Sequence, residues 1–99
     1  MQKQPPIRLP KLLAAANGAP CMACGTSDGT TVAAHSPFRH LHGGGMGIKC
    51  DDLFVAYLCS HCHDYVDGRV KRAEEDPREL WRMAHDRTLQ YAFRNGVLR

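Results

Sequence analysis

Leu58-Cys59-Ser60-His61-Cys62-His63-Asp64-Tyr65-Val66-Asp67 carries two cysteines, a histidine beside the second, and an aspartate four residues beyond that histidine. A helix from Ser60 to Asp67 places His63 and Asp67 at i and i+4, stacked on one face. Such a segment can hold a closed metal site on one side and an open one on the other. A matching pair lies upstream in Cys21-Met22-Ala23-Cys24. Two CxxC knuckles offer four thiolates, the donor set of a tetrahedral structural Zn²⁺ site. The 34 residues between the knuckles exceed compact zinc-finger spacing, so the insert must fold on its own account. Two separate redox CxxC sites are the competing reading. Cys50 is left over and reads as a reduced, partly buried thiol.

Working outward, Ser27-Asp28-Gly29 is a turn, and Thr30 to His35 has the β-branched character of a strand with His35 at its end. Ser36 to Lys49 holds four glycines, His40, His42 and Arg39, and is expected to be a long loop of the kind that carries function. Leu53 to Leu58 is a continuous apolar run that enters Cys59 directly, a second strand. The order is therefore β-β-α. Gly68 stops the short helix, and Arg69 to Glu75 is a charged connector. Asp76-Pro77-Arg78-Glu79 is a helix start, with an Asp cap, Pro in the first position and Glu in the capping-box position. That helix is expected to end near Arg94, before Asn95-Gly96. Leu80, Trp81, Ala84, Thr88 and Tyr91 share a stripe that would dock on the core, with Trp81 a core residue. At the other end, Met1 to Pro10 has little pattern, and Lys11 to Asn17 is a short helical turn stopped by Gly18. The expected organisation is a tail and short helix over 1–18 and one domain over 19–99, with the ββα part at 21–68 and the C-terminal helix at about 77–94.

At 99 residues the chain can bury only a modest core, and domains of this size commonly rely on a metal or disulfides. Without an apolar membrane span or signal-peptide core, it is expected to be soluble and cytoplasmic, which argues against a disulfide framework. Net charge is +3. Residues 1–50 carry five Lys/Arg against Asp28 alone, and 69–99 carry eight against five acids, whereas 51–68 hold four aspartates and no Lys or Arg. A basic chain with one acidic island suits phosphate contacts around a cation site; a mildly basic surface without a partner explains charge alone equally well.

The chemistry-bearing residues follow this layout. His35 ends a strand before the glycine-rich loop, and its ordinary pKa near ~6.5 lets it take a proton from water at neutral pH. A divalent cation on His63 and Asp67 would stabilise charge on a phosphate and its leaving oxygen. Arg39 and Lys49 in the loop, and Arg69 and Arg72 beyond the helix with Lys71, are candidate phosphate contacts.

Ala34-His35, Asp52-Leu53 and Leu58-Cys59-x-x-Cys62-His63, taken in order, resemble the HNH (ββα-metal) endonuclease superfamily. With Ser36, Gly45-Met46-Gly47-Ile48-Lys49 and Asp67 they are similar to its small phage and prophage nucleases bearing two CxxC knuckles. The resemblance covers roughly residues 19–94 and implies an α+β, zinc-stabilised, treble-clef-like core with a long loop between the strands and the C-terminal helix packed on it. It implies metal-dependent hydrolysis of DNA, in phage or prophage DNA processing or recombination. His35 falls on the general base. Cys21, Cys24, Cys59 and Cys62 fall on the structural zinc ligands, and His63 and Asp67 on the ligands of a catalytic Mg²⁺ or Mn²⁺. Asp52 is the nearest counterpart of the superfamily's central Asn, orienting the loop or His35. One departure stands out: many such enzymes carry a metal ligand immediately before the catalytic His, and here that residue is Ala34. Two protein ligands then remain, with water and phosphate oxygens completing the shell as Mg²⁺ tolerates; His61 and Asp64 are alternative donors. The competing function is a non-catalytic, zinc-stabilised nucleic-acid-binding module. Monomer and homodimer are both compatible with the sequence.

Overall fold

The computed structural model describes residues 7–38, 50–72 and 76–98. Five elements follow in order: α1 (Pro10–Ala14), β1 (Val32–His35), β2 (Val55–Leu58), α2 (Ser60–Val66) and α3 (Pro77–Arg94). The strands form one antiparallel two-stranded ribbon in the register Val32↔Leu58, Ala33↔Tyr57, Ala34↔Ala56 and His35↔Val55. The expected α+β class and order are present.

The strand pleat divides the core in two, because successive side chains point to opposite faces. Ala34, Ala56 and Leu58 join Cys21, Cys59, Cys62, Phe38, Trp81 and Ala84 on one face. Val55 and Tyr57 join Leu12, Ala16, Ala19 and Ala92 on the other. β2 is therefore buried along its whole length, which is why it reads as an unbroken apolar run. Its outer edge is closed without a third strand. The Thr88 hydroxyl accepts from the Tyr57 N–H at 2.9 Å, His85 Nδ1 lies 2.8 Å from the Val55 carbonyl, and the Met22 N–H donates to the Tyr57 carbonyl at 2.8 Å. Unpaired strand groups buried under a helix would otherwise be costly.

α3 runs as expected from Pro77 to Arg94, with the Asp76 carboxylate accepting from the Arg78 N–H at 2.9 Å. Its buried positions are Trp81, Ala84, Thr88 and Ala92. Leu80 and Tyr91, expected on the stripe, instead flank it half-buried, because an 18-residue helix bridging two clusters continues by four from Thr88 to Ala92. Both strands are shorter than expected. Thr30 leaves the ladder because its N–H and hydroxyl bind the Asp28 carboxylate at 3.0 and 2.6 Å, while its oxygen accepts the Ser60 N–H at 2.9 Å. It caps α2 instead of extending β1. Residues 53 and 54 belong to a turn in which the Phe54 N–H donates to the Asp51 carbonyl at 3.0 Å. α1 likewise ends at Ala14, and a turn carries the chain to Gly18 at φ 86°. Its Leu12 is fully buried, and the Leu12 carbonyl accepts from the Tyr57 hydroxyl. Among the described residues no helix is long and apolar enough to cross a membrane.

Candidate functional site

The two knuckles converge. Ligand atoms of Cys21, Cys24, Cys59 and Cys62 all lie within 4.8 Å of one another, and the Cys24 and Cys59 sulfurs are 3.7 Å apart. A tetrahedral Zn²⁺ with bonds near ~2.3 Å separates its sulfurs by about 3.8 Å, so the spacing fits. The first knuckle turns tightly enough that the Ala23 and Cys24 N–H groups point at Cys21 Sγ, at 3.4 and 3.5 Å. The second enters α2 directly, and Cys59 is its N-cap. Burial pushes the Cys62 thiol up to about 12 against the opposing pull of Arg72, whereas the Thr26 hydroxyl beside it brings exposed Cys24 down to about 6. Buried thiols of this kind ionise together only around a cation, and four thiolates are a zinc donor set.

α2 places the second group. Cys59, Cys62 and Val66 form its inward stripe, and His63 and Asp67 lie one residue round from it, at the border with solvent. His63 Nε2 is 3.4 Å from Asp67 Oδ2, with side chains 34% and 39% exposed. Although α2 closes at Val66, the Asp67 N–H still donates to the His63 carbonyl at 3.0 Å, which preserves the i, i+4 stacking. An imidazole and a carboxylate, each partly exposed, with Arg69 4.0 Å from the carboxylate, are a donor pair compatible with a hard divalent cation.

His35 is held differently. It pairs with Val55 and so faces the side of the ribbon away from Ala34. Its Nε2 lies 3.1 Å from Asp52 Oδ1. Asp52 is 3% exposed, and its other oxygen accepts the Leu9 N–H at 2.7 Å, with Arg8 3.5 Å away. Burial alone would raise this carboxyl, but the bonds from His35 and Leu9 and the charge of Arg8 outweigh it and hold the group below its ordinary value. The Arg8 guanidinium also donates to the Cys50 carbonyl at 2.8 Å, the Asp52 N–H donates to the Ile7 carbonyl, and the Ile7 N–H donates to Asp51. Residues 7–9 thus form a strap across Asp51 and Asp52. Sequence reasoning reached Asp52 through its place in the motif order; Arg8 and Leu9 carry no pattern that could have pointed to them.

Ala34 is 2% exposed, and its carbonyl accepts the Trp81 indole N–H at 3.0 Å. Trp81 is a core residue, stacked on His85 and edge-on to Phe38. The structure thus yields two polar pairs, His35–Asp52 and His63–Asp67, with no hydrogen bond or ion pair between them among the described residues. Asp64 is engaged by Arg69 at 3.1 Å, and His61 is exposed. Arg72 lies over the Tyr65 ring at 4.7 Å and donates to Cys62 Sγ at 3.6 Å, so its guanidinium sits against the cysteine centre. Arg39 and Lys49, with most of the Ser36–Lys49 loop, lie outside the described residues.

Fold and cysteine centre together define a small α+β protein built around a four-thiol, metal-competent cluster. The family model described as "Putative nuclease YbcO" matches residues 10–97, and the chain belongs to that family. It is similar to a solved structure from Escherichia coli str. K-12 substr. MG1655, described as that of a putative bacteriophage protein. The two share 26% identity and a TM-score of 0.62, over 85% of this chain and 98% of that one. Among curated proteins none matches.

Proposed function

We propose that this protein is a metal-dependent endonuclease of the HNH (ββα-metal) type that hydrolyses DNA phosphodiester bonds inside a bacterial cell, in phage or prophage DNA processing. The observation that carries the reading is the His63–Asp67 pair, which runs from the residue after Cys62 of the cysteine cluster to the C-cap of α2. Membership of a family named for nucleases and the likeness to a phage protein support it. Residues 19–99 form the nuclease domain, with 21–68 its treble-clef-like ββα core and Zn²⁺ on Cys21, Cys24, Cys59 and Cys62.

His63 and Asp67 hold a single Mg²⁺ or Mn²⁺, which when bound supplies positive charge for the phosphate and the leaving oxygen. His35 accepts a proton from water as the water oxygen bonds to phosphorus and the ester P–O bond breaks; solvent reprotonates the departing oxygen. Arg39, Lys49 and Arg69 contact phosphate. Arg72 serves that role only at the margin of the cysteine centre it already braces.

Incubating the zinc-loaded protein with plasmid DNA and Mg²⁺ or Mn²⁺ tests this. Cleavage is expected in wild type, with losses of about 10²-fold or more in His35→Ala and His63→Ala. Undiminished cutting by His35→Ala would remove the mechanism. One observation favours a second reading: the position before His35, where a ligand is usual in the superfamily, is a buried Ala34 locked beneath Trp81. A non-catalytic binding module predicts salt-sensitive DNA binding with no cleavage under any divalent cation.

A further inference from the structure

The two edges of the ribbon are finished differently. Along β2 the outward main-chain groups of Val55 and Tyr57 are taken by His85, Thr88 and Met22. Because those groups turn away from β1, Val55 and Tyr57 stand in the non-hydrogen-bonded pairs of the ladder, opposite His35 and Ala33. The main-chain N–H and C=O groups of Ala33 and His35 therefore point outward from β1. Among the described residues nothing pairs with them. An open groove of about 320 Å³, lined in part by Leu13, Ala14, Asn17, Thr31 and Ala33, lies between this edge and α1. Soluble proteins commonly blunt such an edge with a charge, a proline or a bulge. Thr30-Thr31-Val32-Ala33-Ala34 has neither charge nor proline, its register with β2 is unbroken, and Val32 is 44% exposed.

We propose that β1 pairs with β1 of a second copy of this chain, antiparallel about a two-fold axis at Ala33, so that two ribbons become one four-stranded sheet. The occupant follows from the edge itself. An extended strand is what offers donors and acceptors at the two-residue repeat of Ala33 and His35. Among the described residues β1 is the strand with such an edge free, and its outward groups read the same from either side of Ala33. In that register Ala33 exchanges both hydrogen bonds with Ala33 of the second copy. The exposed Val32 is laid opposite Ala34 of the second copy. Thr31, whose buried hydroxyl has no hydrogen-bond partner, meets His35 of the second copy in the next hydrogen-bonded pair, on the same face. A two-stranded ribbon is marginal by itself, and four strands are not. The pairing does not rest on the nuclease reading.

The test uses the full-length protein kept in Zn²⁺. Sedimentation equilibrium is expected to show monomer and dimer exchanging, with a dissociation constant on the order of 10–100 µM for so small an interface. Amide exchange at Ala33 and His35 is expected to slow as concentration rises, since their N–H groups are bonded only in the pair. Ala33→Cys brings two thiols to a Cα separation of about 5.5 Å, so mild oxidation should link two copies through residue 33. Val32→Cys, displaced from the axis, should not link. Ala33→Pro removes an outward N–H that the monomer does not use, and Val32→Lys adds a charge at an exposed site. Each is expected to weaken association at least about tenfold with near-UV circular dichroism unchanged. Should Ala33→Pro fail to fold, Val32→Lys decides the matter. A wild type that stays monomeric at the highest concentration reached overturns the pairing and leaves the edge to an extended segment of another protein. A dimer that survives both substitutions, or that links through residue 32 instead of 33, overturns it too. DNA cleavage enters none of these readouts, so the nuclease reading stands or falls separately.

Discussion

The cysteine centre and the polar pair on the same helix are opposites in construction. Cys59 and Cys62 open α2 and meet Cys21 and Cys24 from a knuckle 34 residues upstream; Cys21, Cys59 and Cys62 are at most 3% exposed. His63 and Asp67 come from one helical turn and stand over a third exposed. A metal ion on the first would have every coordination position closed by protein and would tie distant parts of the chain together. A cation on the second would have most positions left to solvent and would tie nothing. One short helix can carry both because its stripe faces the core while the residues one step round face water. The rigid half sets where the open half stands.

The sharpest way to break this contrast is to keep the cysteine cluster from holding a metal. A strong chelator, or Cys62→Ala, is expected to abolish cooperative unfolding, because structural zinc supplies on the order of 10 kcal/mol in small zinc domains. Near-UV circular dichroism and metal content by mass spectrometry measure it. Cys50→Ala, outside the cluster, is expected to keep both. A chelated protein that still melts cooperatively would show that the two clusters around β2 suffice alone.

The next effect in size concerns the edge of β2. Thr88→Val keeps the shape but strips the acceptor from the buried Tyr57 N–H. The expected cost is about 1–3 kcal/mol, a fall of very roughly 5–20 °C in Tm for a chain of this length.

How much of this was legible beforehand depended on distance along the chain. α3 was readable at both ends, to about 77–94, because Asp76-Pro77 and Asn95-Gly96 are local signals. The cysteine centre was readable because CxxC spacing is chemistry that needs no fold. Thr30 was misread as strand: its β-branched propensity lost to an Asp28 turn and to Ser60, 30 residues on. The strap was invisible, since Ile7, Arg8 and Leu9 find their partners 42 to 44 residues away and none is polar in a recognisable pattern. Contacts of that range are written in the fold, and Asp52 became interpretable only once Leu9 and His35 stood on either side of it.

Acid sharpens the comparison from the strap side. Asp52 is held below the usual carboxyl range, so its contribution to stability is fully present above about pH 4 and is lost as pH falls through the lower, folded-state value. Asp52→Asn is expected to flatten the dependence of Tm on pH in that window, read by thermal melts from pH 5 downward. A wild type whose Tm falls no faster than the variant's would mean that the strap holds the carboxylate no better than water does.

The smallest stability effect is expected at Arg69, and it probes the open pair most directly. Its guanidinium lies 3.1 Å from Asp64 and 4.0 Å from Asp67, with the side chain 69% exposed. Pairs so exposed contribute at most about 0.5 kcal/mol, so Arg69→Ala should barely move Tm. Its electrostatic role is larger than its structural one. A fixed positive charge beside Asp67 opposes a cation at the same carboxylate, yet attracts a phosphate. Arg69→Ala is therefore expected to bind Mn²⁺ a few fold more tightly in the absence of DNA. It should bind DNA more weakly, with the slope of log affinity against log salt reduced by about one. Calorimetry with Mn²⁺ and salt-titrated DNA binding read the two effects separately. Opposite signs would place cation and phosphate on the same turn of α2; a loss of both would assign Arg69 to bracing Asp64 and Asp67, and the open site would need its ligands sought elsewhere.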